Sequence, residues 1–394
     1  MTTDHRGARA VHASGSLLVR GVNWLGDAVM TTPALLRLRE AFPQAKIVLL
    51  THEKLAELWR EHPACDAVIT FRARDSVFAV ARRLRTHDFS TSLILPNSVR
   101  SALESFLASI PRRVGYAAKW RRSFLTEPVA PRAGCPRMKK RSPAEVIELV
   151  STASSARAAS DLLGDAHHVH QYLHLAAQLG ANPQPLSPAL FLSEGEVRKA
   201  VERFGLVTRR PLFALNPGAE YGPAKRWPAE RFAEAAVEVH KKTGCEWVLL
   251  GGKNDMGLTR QITQAIRDAV RRPADGLGEV VTDLAGQTTL RELCAILKAC
   301  QLLLANDTGP MHVSAAVGTP VIVPFGSTSP ELTGPGLPSE RRHKIIRSDA
   351  VCSPCFLREC PIDFRCMLGI SVGGIVAAIL STWESLDRAA RRSH

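Results

Sequence analysis

The sequence predicts an α/β chain built from two halves, each a parallel sheet with helical crossovers. Three observations predict it. Short apolar strand-like runs alternate with helical stretches in both halves, a proline-rich break "ANPQPLSP" (residues 181–188) separates them, and several strands empty directly into loops rich in Gly, Pro and Asp. At 394 residues the chain exceeds the size at which a single core keeps growing, so two domains are expected.

In the first half, "SLLVRG" (16–21) reads as a buried strand. The next stretch holds Thr31, Thr32 and Pro33, and a helix starts or restarts there because proline is tolerated only in a first turn. "KIVLLT" (46–51) is the second strand, completing a strand, helix, strand unit. "AVITF" (67–71), a basic helix over 75–86 and "TSLILP" (91–96) continue the alternation. From 139 to 164 the composition shifts to Ser, Ala and Arg, which reads either as a mobile insertion or as a weak surface helix. "HHVHQYLHLAAQLG" (167–180) resumes a helix before the proline-rich linker.

The second half reads as strand 212–218, helix 228–243, strand 245–252, helix 255–270, strand "VVTDLAG", helix 289–299, strand 301–307, a helix from about 309, and strand 319–326. The expected boundaries are an extension over 1–15, an N-terminal domain over 16–185 with an insertion at 140–165, a C-terminal domain over 186–372, and a terminal helix and tail over 373–394 that packs back on the N-terminal domain. Folds of this kind bind ligands at the carboxyl ends of their strands, and two such halves are expected to face one cleft.

Composition narrows the partners. Lys plus Arg number 51 against 37 Asp plus Glu, a net charge of +14 that favours polyanions: nucleic acid, an anionic membrane face or phosphorylated substrates. Only 6% of residues are aromatic and none forms a spaced stacking platform, so no nucleic-acid partner is expected. The apolar run at 369–380 is too short to cross a bilayer, and the N-terminus has no apolar core of signal-peptide length, which reads as a soluble cytoplasmic protein.

Two loops carry the strongest chemistry. In "LLLANDTGPMHVSAAVGTPVIVPFG" a buried strand ends in Asn306 and Asp307, the turn Thr308, Gly309, Pro310 follows, and a helix begins with His312 in its first turn. Free backbone N–H groups at such a terminus attract phosphate, and small residues let the anion approach. The bland alternative is a helix capped by Asp307 or Thr308, which leaves His312 unexplained. In "NPGAEYGPAKRWPAERF", Lys225 is either the cation for a nucleotide's phosphates or a solvated loop lysine.

A third feature is Asp27, set between Gly26 and an apolar stretch just after the first strand. A carboxylate there is either a general base facing the ligand or a helix N-cap. Sequence patterns for dinucleotide binding, P-loops, nucleophile-elbow serine hydrolases and zinc proteases are absent, as is Asp-x-Asp, so no metal-bridged diphosphate is expected.

Together, "RGVNWLGDAVMTTPAL", "NPGAEYGPAKRWP" and "NDTGPMHVSAAVGTPVIVPFGSTSPELTGP" resemble the ADP-heptose:lipopolysaccharide heptosyltransferases of glycosyltransferase family 9, most closely their heptosyltransferase II branch. The resemblance implies a GT-B fold of two Rossmann-like domains across an interdomain cleft. It also implies metal-independent, inverting transfer from ADP-heptose, with no cofactor required. By it Asp27 is the general base; Lys225 with Glu220 and Tyr221 meets the diphosphate and sugar; Asp307, Thr308, Gly309, Pro310 and His312 hold the donor; and Asp255 lies where the adenosine binds. The acceptor is implied to be the phosphorylated Kdo-lipid A inner core, probed at the inner membrane face by a monomer that adds the second heptose. Asn23, Trp24, Arg100, Lys119, Arg121, Arg122 and residues 139–141 are the acceptor-side candidates, against a merely solvated basic face. Rival readings are heptosyltransferase I, another GT-B nucleotide-sugar enzyme such as an epimerase, and a non-catalytic nucleotide-sugar-binding protein.

Nine cysteines are present, four of them in "CSPCFLRECPIDFRC": Cys352, Cys355, Cys360 and Cys366. Four thiolates suit a structural zinc, but the paired-knuckle spacing is missing, so the alternatives are a zinc site or reduced and redox-labile thiols.

Overall fold

The computed structural model describes residues 15–118, 120–136, 138–152, 165–206, 209–270 and 280–392. Among them, twelve strands form two six-stranded sheets, and every strand pairing is parallel. The expected α/β class is what is found.

The first sheet contains β1 (Ser16–Arg20), β2 (Lys46–His52), β3 (Ala67–Phe71), β4 (Phe89–Ile94), β5 (Arg112–Tyr116) and β6 (Glu127–Val129), in the order β3-β2-β1-β4-β5-β6. The second contains β7 (Leu212–Asn216), β8 (Glu246–Leu249), β9 (Val281–Asp283), β10 (Leu302–Ala305), β11 (Val321–Phe325) and β12 (Lys344–Arg347), in the order β12-β11-β10-β7-β8-β9. Counted from its own first strand, each sheet reverses direction between its first and fourth strands. That reversal is the doubly wound switch point, and the crevice beyond the strand carboxyl ends there is where such sheets take ligands.

The central strands are buried on both faces, and their sequences are continuous apolar runs: Leu17, Leu18 and Val19 in β1 and Leu302, Leu303 and Leu304 in β10 are fully buried. Helices with one apolar face complete each half. The helix Ala229–Thr243 buries Phe232, Ala236 and Val239 and ends at Gly244 in the left-handed conformation that glycine adopts without strain.

The chain divides into two compact units. One takes the described residues up to Cys135 together with Asp165–Phe191; the other takes the described residues of Pro136–Gly164 together with those from Leu192 onward. This departs from the expected limits of 16–185 and 186–372. The helix Pro143–Thr152, placed by the sequence reading in an N-terminal insertion, belongs to the second unit: the Arg141 N–H donates to the Cys355 carbonyl at 3.1 Å, its guanidinium donates to the Cys352 carbonyl at 2.7 Å, and Val146 packs with Cys352, Cys355 and Leu357. Residues 153–164 and the extension over 1–14 lie outside the described residues. The terminal helix Val372–Arg392 lends Ile375, Val376 and Ile379 to the core of the second unit, where they meet Phe213 and Trp247. No helix among the described residues is long and apolar enough to cross a membrane.

Candidate active site

In the first unit the switch point is organised by a buried ion pair. Arg20, the last residue of β1, is 2% exposed, and its Nε donates to Glu104 at 2.9 Å, where Glu104 is fully buried on the helix Val99–Leu107. The Arg20 guanidinium also donates to the Gly21 carbonyl and to Asn23 Oδ1 at 3.2 Å, and it lies 4.3 Å over the Phe71 ring. Burial lowers the Arg20 pKa, and the Glu104 carboxylate opposes that shift. The loop after β1 is therefore tied to the sheet by one side chain.

That loop delivers Asp27. The helix Leu25–Met30 has Trp24 at its N-cap with no side-chain cap, so Asp27 sits inside the first turn and the capping alternative falls. Asp27 is half-buried and accepts a hydrogen bond from the Tyr172 phenol on the helix Val169–Ala177. Burial first, and then the Asp27 charge, hold the Tyr172 pKa well above its ordinary value. Nearby Trp24 is 48% exposed and Asn23 is exposed.

The basic acceptor-side candidates separate. Arg121 is fully buried: it donates to Asn97 Oδ1 at 3.1 Å and to the Ile94 carbonyl at 3.2 Å, just beyond β4, and burial brings its pKa down to about 10. It packs rather than forming part of an exposed basic face. Arg100 is engaged too, donating to Glu104 at 2.9 Å and to the Asp75 carbonyl at 2.6 Å. Arg122, Lys139 and Lys140 are exposed, Arg141 is bonded as described above, and Lys119 lies outside the described residues.

In the second unit, the loops after β7 and β10 meet across the switch point. Lys225 Nζ lies 2.6 Å from Asp307 Oδ2, and the Thr328 hydroxyl, in the loop after β11, donates to the same oxygen at 2.5 Å. Asn306, fully buried, fixes both ends of the Lys225 loop: its side-chain amide donates to the Pro217 carbonyl at 2.7 Å and its Oδ1 accepts from the Trp227 N–H at 3.0 Å. Glu220 is exposed, and Tyr221 is half-buried beneath Lys225, whose Nζ lies 4.9 Å from the ring centroid.

Thr308 is the N-cap residue of the helix Gly309–Ala316, Pro310 lies in its first turn, and no side chain caps it. Capping by Asp307 therefore does not account for this loop: its carboxylate faces Lys225 and Thr328. His312 is 5% exposed. Asp255 closes the turn Lys253–Asp255 by accepting from the Gly252 N–H at 2.9 Å, and a Cβ on Gly218 would stand 2.6 Å from its carboxyl group. Asp255 is thus packed under the loop after β7.

The cysteine-rich segment is free of disulfides. Cys352, Cys355 and Cys366 are buried, and burial followed by the neighbouring thiols pushes Cys366 up to about 12. Among the described residues no group of three or more His, Cys, Asp or Glu side chains is arranged to hold a metal ion. The segment contributes packing and backbone support. The Cys355 and Phe356 N–H groups donate to the Ser327 carbonyl at 3.1 and 2.7 Å, and the Tyr221 hydroxyl donates to the Phe356 carbonyl at 2.8 Å.

Tyr172, Thr328 and the Arg20–Glu104 pair are absent from the sequence reading. Tyr172 stands far from Asp27 along the chain in an ordinary helical run, and no local pattern marks it. Glu104, a lone carboxylate within the apolar stretch "SALESFL", was the available signal.

Comparison with known proteins agrees with this geometry. The glycosyltransferase family 9 (heptosyltransferase) pattern matches residues 138–364. The chain is 30% identical to lipopolysaccharide heptosyltransferase 2 of Escherichia coli K12 over 85% of its length and 91% of that protein's, and 31% identical to the Salmonella typhimurium protein of the same name over 81% and 85%. The solved E. coli ADP-heptose LPS heptosyltransferase II superposes with a TM-score of 0.74 at 25% identity, covering 94% of this chain and 99% of that one. Two Rossmann-like units of the GT-B kind and these relatives place the chain: it belongs to glycosyltransferase family 9, the heptosyltransferases, and is a glycosyltransferase.

Proposed function

We propose that this chain transfers a heptose from ADP-heptose to the phosphorylated inner core of lipopolysaccharide, adding the second heptose with inversion and without a metal ion. Asp27 takes the proton from the attacking acceptor hydroxyl. The oxygen attacks the anomeric carbon as the bond to the ADP oxygen breaks, so one base and one cradle for the leaving diphosphate suffice. Lys225, with Tyr221, Glu220 and the Asp307–Gly309 turn, forms the donor side. Asn23 and Trp24, exposed beside Asp27, are on the acceptor side.

The observation that carries this reading is Asp27: a half-buried carboxylate just beyond the switch-point strand, inside a helix turn it does not cap, held by one phenol. The names of the relatives supply the donor and acceptor. The net charge of +14 suits a phosphorylated acceptor at the inner face of the cytoplasmic membrane, where the protein works peripherally as a monomer.

The test incubates the purified protein with ADP-heptose and a Kdo-lipid A acceptor carrying one heptose, in chelator. Product should carry one further heptose with its anomeric configuration opposite to the donor's, and Asp27→Ala should abolish turnover while retaining ADP binding. Turnover retained in Asp27→Ala removes the base assignment; preference for an acceptor without heptose favours the heptosyltransferase I reading; donor consumption without acceptor favours an epimerase or hydrolase.

A further inference from the structure

Resting on the donor-side reading above, we propose that Arg358 is a second donor-binding residue, supplying the cation that Lys225 cannot supply alone. Lys225 is already spent on a nearly buried carboxylate: its partner Asp307 is 5% exposed and lies 2.6 Å away. A nucleotide-sugar diphosphate brings a negative charge on each phosphate, and the Lys225–Asp307 pair offers it little net charge in return.

Arg358 stands beside that pair. Its guanidinium carbon lies 5.1 Å from the centroid of the Tyr221 ring, the ring on which Lys225 Nζ sits at 4.9 Å. The side chain is exposed and has no carboxylate partner among the described residues. Its backbone is fixed in place: the Ala224 N–H donates to the Arg358 carbonyl at 3.0 Å, and a Cβ on Gly222 would stand 2.5 Å from that oxygen. The glycine permits this close approach, and the Tyr221 hydroxyl bond to the Phe356 carbonyl adds a second tie two residues earlier. A free, planar, always-charged fork held over an aromatic ring at the rim of the switch-point loop is suited to bidentate contact with phosphate oxygens. The cysteine-rich segment thereby gains a role: its buried thiols and carbonyls hold the backbone from which Arg358 projects.

The test is calorimetric binding of ADP and of AMP to the full-length protein and to Arg358→Ala and Arg358→Lys, with donor and acceptor KM measured alongside. A charged hydrogen-bonded contact predicts that Arg358→Ala weakens ADP binding by about tenfold to a hundredfold and raises donor KM in step. AMP affinity and acceptor KM should change far less, and Arg358→Lys should recover part of the loss. ADP affinity within about twofold of wild type in Arg358→Ala overturns the proposal, on the scale set by such contacts. Equal loss of ADP and AMP affinity also overturns it, assigning the residue to loop packing. Failure of the wild-type protein to bind ADP would overturn the donor-side reading itself, which separates the two.

Discussion

Lys225 Nζ and Asp307 Oδ2 lie 2.6 Å apart and join the loops after β7 and β10, the two strands at which the second sheet reverses direction. The bond makes these two loops one structural object. Lys225→Ala would leave a carboxylate that is 5% exposed with Thr328 as its remaining donor, and an uncompensated buried charge of this kind costs about 3 kcal/mol. Lys225→Ala/Asp307→Asn should recover much of that loss, because the lone charge is gone. Urea denaturation of the two variants checks this; equal destabilisation would show that the lysine's charge does not act through Asp307.

With Asp27 as the proposed base, Tyr172 is its positioning residue. The phenol donates to the carboxylate, so Tyr172→Phe removes that donor while keeping the ring's packing. Turnover should fall by about tenfold, the scale of one hydrogen bond to a charged group, with ADP affinity unchanged. Steady-state kinetics beside ADP calorimetry distinguish this from general unfolding, which would lower both.

How legible these arrangements were in the sequence follows from how local their causes are. The runs "SLLVR", "KIVLL" and "LLLA" declare buried parallel strands because both faces are covered and every residue can be apolar. The edge strands β6 and β12, and β5 beside β6, carry no such run: "EPV", "KIIR" and "RRVGY" are short and charged or interrupted by proline, as strands at or near a sheet edge tolerate. Asp27, Lys225 and Asp307 stand out in the sequence because each lies in the segment between a strand and the next long helix. Their partners Tyr172 and Thr328 do not, since those contacts are made by chain reversal and leave no spacing signal. In "KWRRSF", likewise, nothing distinguishes the fully buried Arg121 from exposed Arg122 next to it.

The tyrosines and His62 give opposite pH limits. Tyr116 and Tyr172 both have pKa values raised mainly by burial, so the folded state holds protons that the unfolded chain releases near pH 10. Their contribution is intact below that pH and declines above it by about 1.4 kcal/mol per pH unit for each group, until the folded state also ionises. Two of the protein's three tyrosines should therefore resist ionisation in an alkaline absorbance titration until the chain unfolds.

His62 runs the other way. It is 3% exposed, packed against Trp59 and Phe191, and burial lowers its pKa to about 4. Its Nδ1 accepts the Ala64 N–H, which fixes the neutral ring. The contribution is present above about pH 6.5 and is lost as pH falls toward 4, amounting to about 3 kcal/mol at the limit. His62→Asn keeps an acceptor without a titrating group, so its stability should fall less than wild type over that window. Parallel acid-stability curves would contradict the assignment.

Glu104 connects stability to the reaction. It is fully buried and accepts from Arg20 and Arg100, each at 2.9 Å, and Arg20 in turn holds the Gly21 carbonyl and Asn23 Oδ1 ahead of Asp27. Glu104→Gln removes the charge from between two guanidinium groups and should cost about 3 kcal/mol. With Arg20 no longer anchored, the loop that delivers Asp27 loosens, so turnover should fall at temperatures where the variant is still folded, while ADP affinity, which the proposed function assigns to the second unit's loops, should stay near wild type. Glu104→Asp restores the charge on a shorter stem and should recover stability in part. A Glu104→Gln protein that is destabilised but turns over normally when folded would confine this buried pair to holding the sheet and detach it from the placement of Asp27.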